Sequence, residues 1–269
     1  MSSGERALLS AVSAHERLVV AFSGGVDSAL LAVAARKALG RDGVQAVTAD
    51  SASLATGESD HCRQLTDLWD IPWTSVRTDE FADERYLENG TDRCFWCKSA
   101  LMDVVEPIAD AKSARVALGV NIDDFGDHRP GQKAAAERGA VFPLVEAGLT
   151  KSEVRRIAKR WEISVWDRPA MPCLSSRIPY GTSVSVDLVS KIDRAERTLR
   201  TMGFTDLRVR HYDETARIEL PTAELAEAVA RSAEINARLT ALGYRYVTLD
   251  LAGLRSGNLN DGISHVDPT

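Results

Sequence analysis

A Gly-Gly pair flanked by hydroxyls and followed by a carboxylate, Ser23-Gly24-Gly25-Val26-Asp27-Ser28, is the stretch of this chain best equipped to bind a polyphosphate. It follows an apolar run at 18–22 and precedes a helical one at 29–39, so the pattern reads strand, turn, helix. Ala21 and Phe22 close the strand and deliver the chain to the turn. There the glycines let backbone amides approach phosphate oxygens, the helix N-terminus adds N–H donors and a positive dipole end, and Ser23 and Ser28 add hydroxyls. The spacing is not that of a Walker A loop, which also needs a lysine, nor that of a dinucleotide fingerprint. An ordinary glycine-rich strand-to-helix turn is the alternative reading.

Cysteine chemistry is the second candidate. Cys94 and Cys97 form a CxxC pair, and Cys173 lies far along the chain. Such a pair can be redox-active, half of a zinc site or part of an iron–sulfur site, and the three cysteines can also be unrelated. Cys62 sits three residues before Leu65 and seven before Trp69, on the apolar face of its helix, and reads as core. The remaining three thiolates suit a 4Fe-4S cluster that keeps one iron open for an exogenous sulfide. Cys173 can instead be a nucleophile or sulfur donor, its thiol pKa lowered by Arg177 nearby.

Charged groups supply the rest. Asp27 is a candidate Mg²⁺ carboxylate beside the loop, as are Asp123, Asp124 and Asp127, although these can equally cap a helix or turn. His128 and Arg129 follow, His128 reading equally as catalyst or surface residue. Strand alternation puts Arg208 and Arg210 on one face, with Arg217 and Glu219 on one face of the next strand. They can bind an anionic substrate or form cross-strand ion pairs on a solvated face. Lys98 and Arg255 are further anion contacts, Arg255 leading Ser256 and Gly257.

Elements must bring these groups together. Strands are expected at 18–22, 44–49, 74–77 and 115–120, alternating with helices at 29–39, 58–69 and 92–110. That alternation predicts an α/β fold, a doubly wound parallel sheet, whose ligands gather at the carboxyl ends of the strands. The loop, Thr48-Ala49-Asp50-Ser51 and Gly119-Val120-Asn121 all fall at such ends, with 48–51 the expected adenine and ribose contact and Gly119 and Asn121 part of the same site. Pro169, Pro172, Pro179 and Gly181 mark a boundary, giving domains at 1–170 and 171–269. The second is a smaller α+β domain: a helix presenting Leu188, Ile192, Ala195 and Leu199, strands at 207–212 and 216–220, a helix at 223–242 and a strand at 245–251. The tail after Gly257 is expected to be mobile.

With 269 residues, 44% hydrophobic and 27% charged, the chain can bury a substantial core. A net charge of −6 argues against a broad nucleic-acid footprint. No apolar run approaches the roughly 20 residues of a membrane span and no basic-then-apolar leader opens the chain, so a cytoplasmic protein without a membrane partner is expected.

The loop at 23–28 resembles the PP-loop of the ATP pyrophosphatase superfamily. Adding Arg93-Cys94-Phe95-Trp96-Cys97-Lys98, residues 121–131, residues 172–181 (PCLSSRIPYG) and residues 243–257, the chain resembles over nearly its whole length the LarE family of ATP-dependent sulfur transferases, which serve nickel-pincer nucleotide cofactor biosynthesis. The resemblance implies ATP and Mg²⁺, and adenylation of a carboxylate of pyridinium-3,5-biscarboxylic acid mononucleotide followed by sulfur transfer to give a thiocarboxylate. One family type sacrifices the cysteine matching Cys173, leaving dehydroalanine. The other has three cysteines and a 4Fe-4S cluster, and Cys94, Cys97 and Cys173 place the chain with it. Arg208, Arg210 and Arg177 would hold the substrate phosphate, with Glu196 and Glu219 near that site, and a homo-oligomer is implied. An amidating synthetase using ammonia, or an ATP-binding iron–sulfur redox sensor, are the competing functions; pyrophosphate release and its dependence on ammonia or the pyridinium substrate separate them.

Overall fold

The computed structural model describes residues 1–126 and 130–255. Asp127, His128, Arg129 and the tail from Ser256 lie outside the described residues, so the readings placed on them have no structural counterpart here.

The described chain divides into two compact units, one of Met1–Asp83 with Asp92–Met171, the other of Glu84–Thr91 with the chain from Pro172 onward. The first holds four parallel strands, β1 (Leu18–Ala21), β2 (Val44–Asp50), β3 (Trp73–Arg77) and β4 (Arg115–Leu118), in the order β3-β2-β1-β4. Alternate residues of β1 enter different clusters: Leu18 and Val20 pack with Leu8, Leu30 and Ile157, and Val19 with Met102, Val105 and Ala135. With period-two side chains apolar on both sides, such a sheet must be covered on both faces. The helices Ser3–Ser13, Val26–Leu39 and Lys151–Arg160 supply one cover, and Arg93–Asp110 with Pro130–Glu137 the other. The expected doubly wound domain is thus present. Its order reverses at β1, whose neighbours are β2 and β4, and a crevice opens outside the carboxyl ends at such a switch point.

The second unit builds a mixed sheet: β5 (Arg208–Tyr212) antiparallel to β6 (Thr215–Glu219), and β6 parallel to β7 (Tyr246–Leu249). Ala195 and Leu199, from the helix Val186–Thr201, join Val209, Ile218 and Leu239 in its core. The smaller α+β fold matches expectation, but the helix expected at 223–242 is two, Leu225–Ala230 and Ser232–Thr240. Arg231 leaves helical geometry between them (φ −102°, ψ 17°), its guanidinium reaching the Met202 carbonyl at 2.6 Å.

Candidate functional site

At the carboxyl end of β1 the chain turns through Ser23 and Gly24, whose φ of +70° is the left-handed conformation that glycine adopts without a Cβ penalty. Gly25 caps the helix Val26–Leu39 with no side-chain hydrogen bond. The N–H groups of Gly25, Val26 and Asp27 therefore have no acceptor among the described residues, which makes a ready anion cradle. Ser28 is 4% exposed and works within the loop: its Oγ accepts from the Ser23 N–H at 3.2 Å and donates to the Gly25 carbonyl at 3.1 Å. Ser23 Oγ lies 3.2 Å from the same hydroxyl.

Gly119, just past β4, presses against this helix start. A Cβ there would sit 2.6 Å from the Ser28 nitrogen, so only glycine lets β4 close on the loop. Two residues on, the buried Asn121 donates from Nδ2 to Asp27 Oδ1 at 3.0 Å. Lys151 Nζ meets the other Asp27 oxygen in a close ion pair. Lys151 was not singled out in the sequence, yet its placement had a signal: Thr150 and Glu153 form a capping box, so Lys151 opens its helix. Asp123 and Asp124 prove to be backbone acceptors, Asp123 for the Lys151 N–H at 2.8 Å and Asp124 for the Asn121 N–H at 3.1 Å. Of their two readings the structure shows the capping one.

The expected adenine strand end is mixed in character. Thr48 Oγ1 donates to the Phe22 carbonyl at 2.8 Å and accepts from Trp73, while Phe22 is buried edge-on against Trp69. Phe22 and Thr48 thus fasten β1 to its neighbours. Ala21 and Ala49 are half-buried, Asp50 is exposed, and Ser51 shares a 2.8 Å hydroxyl contact with Ser53, which reaches the buried Glu80.

In the second unit the segment carrying Cys173 is gripped by two arginines. Arg177 (1% exposed) donates Nη1 to the carbonyls of Pro172 and Cys173 at 2.6 and 3.2 Å, and Nε to Glu196 at 2.8 Å. Arg210 (3% exposed) donates Nη1 to the Ser176 carbonyl at 2.8 Å and forks onto Glu219 at 3.0 and 3.2 Å. The register pairs Arg210 with Arg217, and both converge on Glu219. These are ion pairs of the interior, not of a solvated face. Arg177, whose charge was expected to act on the Cys173 thiol, directs it to Glu196 and to backbone carbonyls. Arg208 differs: among the described residues it has no carboxylate partner, and its Nη1 rests on the Arg255 carbonyl at 2.9 Å. Burial first, then the charges of Arg177 and Arg210, lower its pKa from the usual arginine value, leaving a poorly compensated cation that favours an incoming anion. Arg255 is exposed with its guanidinium 3.8 Å from Asp250.

Cys62 is fully buried, as its helix face implied, and burial pushes its thiol pKa up to about 11. Cys94 is exposed and Cys97 half-buried in the opening turns of Arg93–Asp110, near Lys98 and Gly131. Among the described residues no group of three or more His, Cys, Asp and Glu is placed to hold a metal ion. That overturns the 4Fe-4S cluster on Cys94, Cys97 and Cys173, and with it the iron–sulfur and metal-binding role: one helix turn supplies two thiolates, and a three-ligand site needs a third beside them. Among the described residues no helix is long and apolar enough to cross a membrane.

A family model described as NAD synthase matches residues 6–84, the stretch containing the loop. The chain is 42% identical over 91% of its length to an uncharacterized protein of Synechocystis sp., covering 92% of that protein. It is 37% identical over 96% of its length to the pyridinium-3,5-bisthiocarboxylic acid mononucleotide synthase of Lactiplantibacillus plantarum, covering 94% of it. A more distant uncharacterized protein of Methanocaldococcus jannaschii is 23% identical over 90% of the chain and covers 92% of that relative.

Proposed function

The chain belongs to the LarE-like family of PP-loop ATP pyrophosphatases and is an ATP-dependent sulfur-transferring enzyme, and from that premise we propose that it converts a pyridinium dicarboxylate mononucleotide to a thiocarboxylate. The observation that carries this is the near full-length likeness to the bisthiocarboxylate synthase, in a chain whose loop offers three N–H groups without acceptors among the described residues.

A carboxylate resists nucleophiles because delocalised negative charge shields its carbon. Its oxygen attacks the α-phosphorus of ATP, the bond to the bridging oxygen breaks, and pyrophosphate leaves. The N–H groups of Gly25, Val26 and Asp27 and the Lys151 ammonium stabilise that departing charge. Mg²⁺ accompanying the triphosphate would supply further neutralisation, and Asp27, whose oxygens hold Asn121 and Lys151, is the loop carboxylate that would meet it. Thr48 and Phe22 keep the strand end in place while Ala49, Asp50 and Ser51 meet the nucleoside, and Arg208, with Arg255, takes the substrate's own phosphate.

The acyl adenylate is then open to the Cys173 thiolate, which forms a thioester and expels AMP. Loss of the Cys173 Cα proton to base and cleavage of its Cβ–S bond, the electron pair leaving with sulfur, releases the thiocarboxylate and leaves dehydroalanine. Arg177 and Arg210 hold the carbonyls around Cys173, and Glu196 and Glu219 hold the arginines. The test is a single-turnover reaction with ATP, Mg²⁺ and the pyridinium dicarboxylate, followed by mass spectrometry. Substrate-dependent pyrophosphate release with dehydroalanine at Cys173 is expected. Release that requires ammonia would overturn sulfur transfer, and repeated turnover on added sulfide with Cys173 intact would remove the sulfur from that residue.

A further inference from the structure

The loop glycine that turns the chain is held from behind by an arginine that neither motif nor family likeness assigns. Arg168 donates Nη1 to the Gly24 carbonyl at 3.3 Å and Nη2 to Glu58 at 2.7 Å, with the two side chains 22% and 15% exposed. Its own segment is fastened too: Arg155 donates to the carbonyls of Trp166 at 2.8 Å and Arg168 at 3.0 Å. Among the described residues no peptide is cis, so the Gly24 carbonyl and the Gly25 N–H belong to one planar trans unit and point in opposite directions. An arginine holding the carbonyl therefore aims the N–H the other way, and that N–H has no acceptor among the described residues.

The rest of the cluster limits the alternatives. A Cβ on Gly24 would meet Cys62 Sγ at 3.0 Å, His61 Cδ2 at 3.4 Å and Arg168 Nη1 at 3.6 Å, so the back of the loop is filled. His61 Nε2 is buried without a partner among the described residues, and burial, then the charge of Arg168, lower the imidazole pKa. Both effects disfavour the charged imidazole, and Arg168 is the guanidinium that reaches the Gly24 carbonyl.

We propose that Arg168, steadied by Glu58, is a positioning residue of the phosphate loop: by holding the Gly24 carbonyl it keeps the Gly25 amide aimed at the phosphates of ATP. Without it the Gly24–Gly25 peptide is free to rotate, glycine having access to both signs of φ, and the cradle loses its fixed orientation. The inference rests on the ATP reading above, and wild-type pyrophosphate release is measured first. If the wild-type protein releases none with ATP, Mg²⁺ and the pyridinium substrate, the functional reading fails before Arg168 is tested.

Arg168→Ala and Arg168→Lys are then compared with wild type in steady-state pyrophosphate release, varying ATP and the pyridinium substrate separately. Loss of a charge-assisted hydrogen bond predicts a rise in the KM for ATP of about tenfold in Arg168→Ala, with the KM for the pyridinium substrate unchanged. Arg168→Lys, which can reach the carbonyl or Glu58 but not both, should fall between. Added guanidinium at concentrations well below denaturing should restore part of the lost ATP affinity to Arg168→Ala and none to wild type, a response that general destabilisation does not give. Equal KM values for ATP in the three proteins would overturn the proposal. So would a loss spread evenly over both substrates without guanidinium rescue. Should Arg168→Ala fail to fold, Arg168→Lys with Glu58→Gln carries the same comparison: both should raise the KM for ATP selectively, and failure of either to do so overturns the proposal.

Discussion

Arg208 and Arg210 look alike in the strand pattern and differ in what already surrounds them. Arg210 is saturated by Glu219 and the Ser176 carbonyl, whereas Arg208 has no carboxylate among the described residues. Arg208→Ala should raise the KM for the mononucleotide substrate while leaving the melting temperature and the KM for ATP nearly unchanged. Arg210→Ala should instead cost about 3–5 kcal/mol in denaturant unfolding, because it strips a partner from a carboxylate buried in the core. A matching loss of substrate affinity in both, with no stability difference, would return Arg210 to the substrate site. Cys62 gives a pH dependence. Its folded pKa of about 11 stands above the ordinary 9.0, so the folded state holds the proton more tightly than the unfolded one. Its contribution is complete below pH 9.0 and lost as pH rises through about 11, amounting to about 3 kcal/mol. Denaturant unfolding of wild type against Cys62→Ala across that range should show the wild-type advantage shrinking as pH rises.

The first unit works because two strand ends are brought to one helix start. Leu118, Gly119 and Asn121 arrive beside Gly25, Asp27 and Ser28 because β4 lies directly against β1 in register, Leu118 opposite Ala21. Gly119→Ala would place a methyl 2.6 to 2.8 Å from the backbone of Asp27 and Ser28, where no side-chain rotation relieves it. Overpacking of this kind costs about 1–3 kcal/mol. Gly119→Ala should therefore lower the melting temperature and also raise the KM for ATP, since the helix start that must move carries the N–H groups. An unchanged KM for ATP beside a lowered melting temperature would mean the loop tolerates the displacement. The helix expected at 223–242 shows the opposite limit of reading by element. Its apolar positions are spaced correctly on either side of Arg231, and the break falls where that guanidinium reaches the Met202 carbonyl, a distant partner that periodicity does not register.

On the scale of the whole molecule, the short segment Glu84–Thr91 belongs to the second unit although the chain around it belongs to the first. Asn89, fully buried, donates Nδ2 to the carbonyls of Pro179 and Thr182 at 2.7 and 2.8 Å, and the Tyr86 hydroxyl lies 2.7 Å from Ser175 Oγ. A fragment beginning at Pro172 lacks these partners. It should unfold at lower denaturant than the second unit within the intact chain, and adding a peptide of residues 84–91 should recover part of the difference. Equal stability would show the segment to be dispensable. By itself the sequence determined the alternation of strands and helices, the phosphate loop and the buried place of Cys62, because local periodicity and glycine stereochemistry dictate these over a few residues. Tertiary structure alone decided that Lys151 and Asn121 both engage Asp27, that Arg168 stands behind Gly24, that Arg177 and Arg210 are spoken for by Glu196 and Glu219, and that the cysteines form no metal-holding group among the described residues. Each of these depends on partners many residues apart, and a side chain's chemistry is set by which of its hydrogen-bonding and charged neighbours the fold has already supplied.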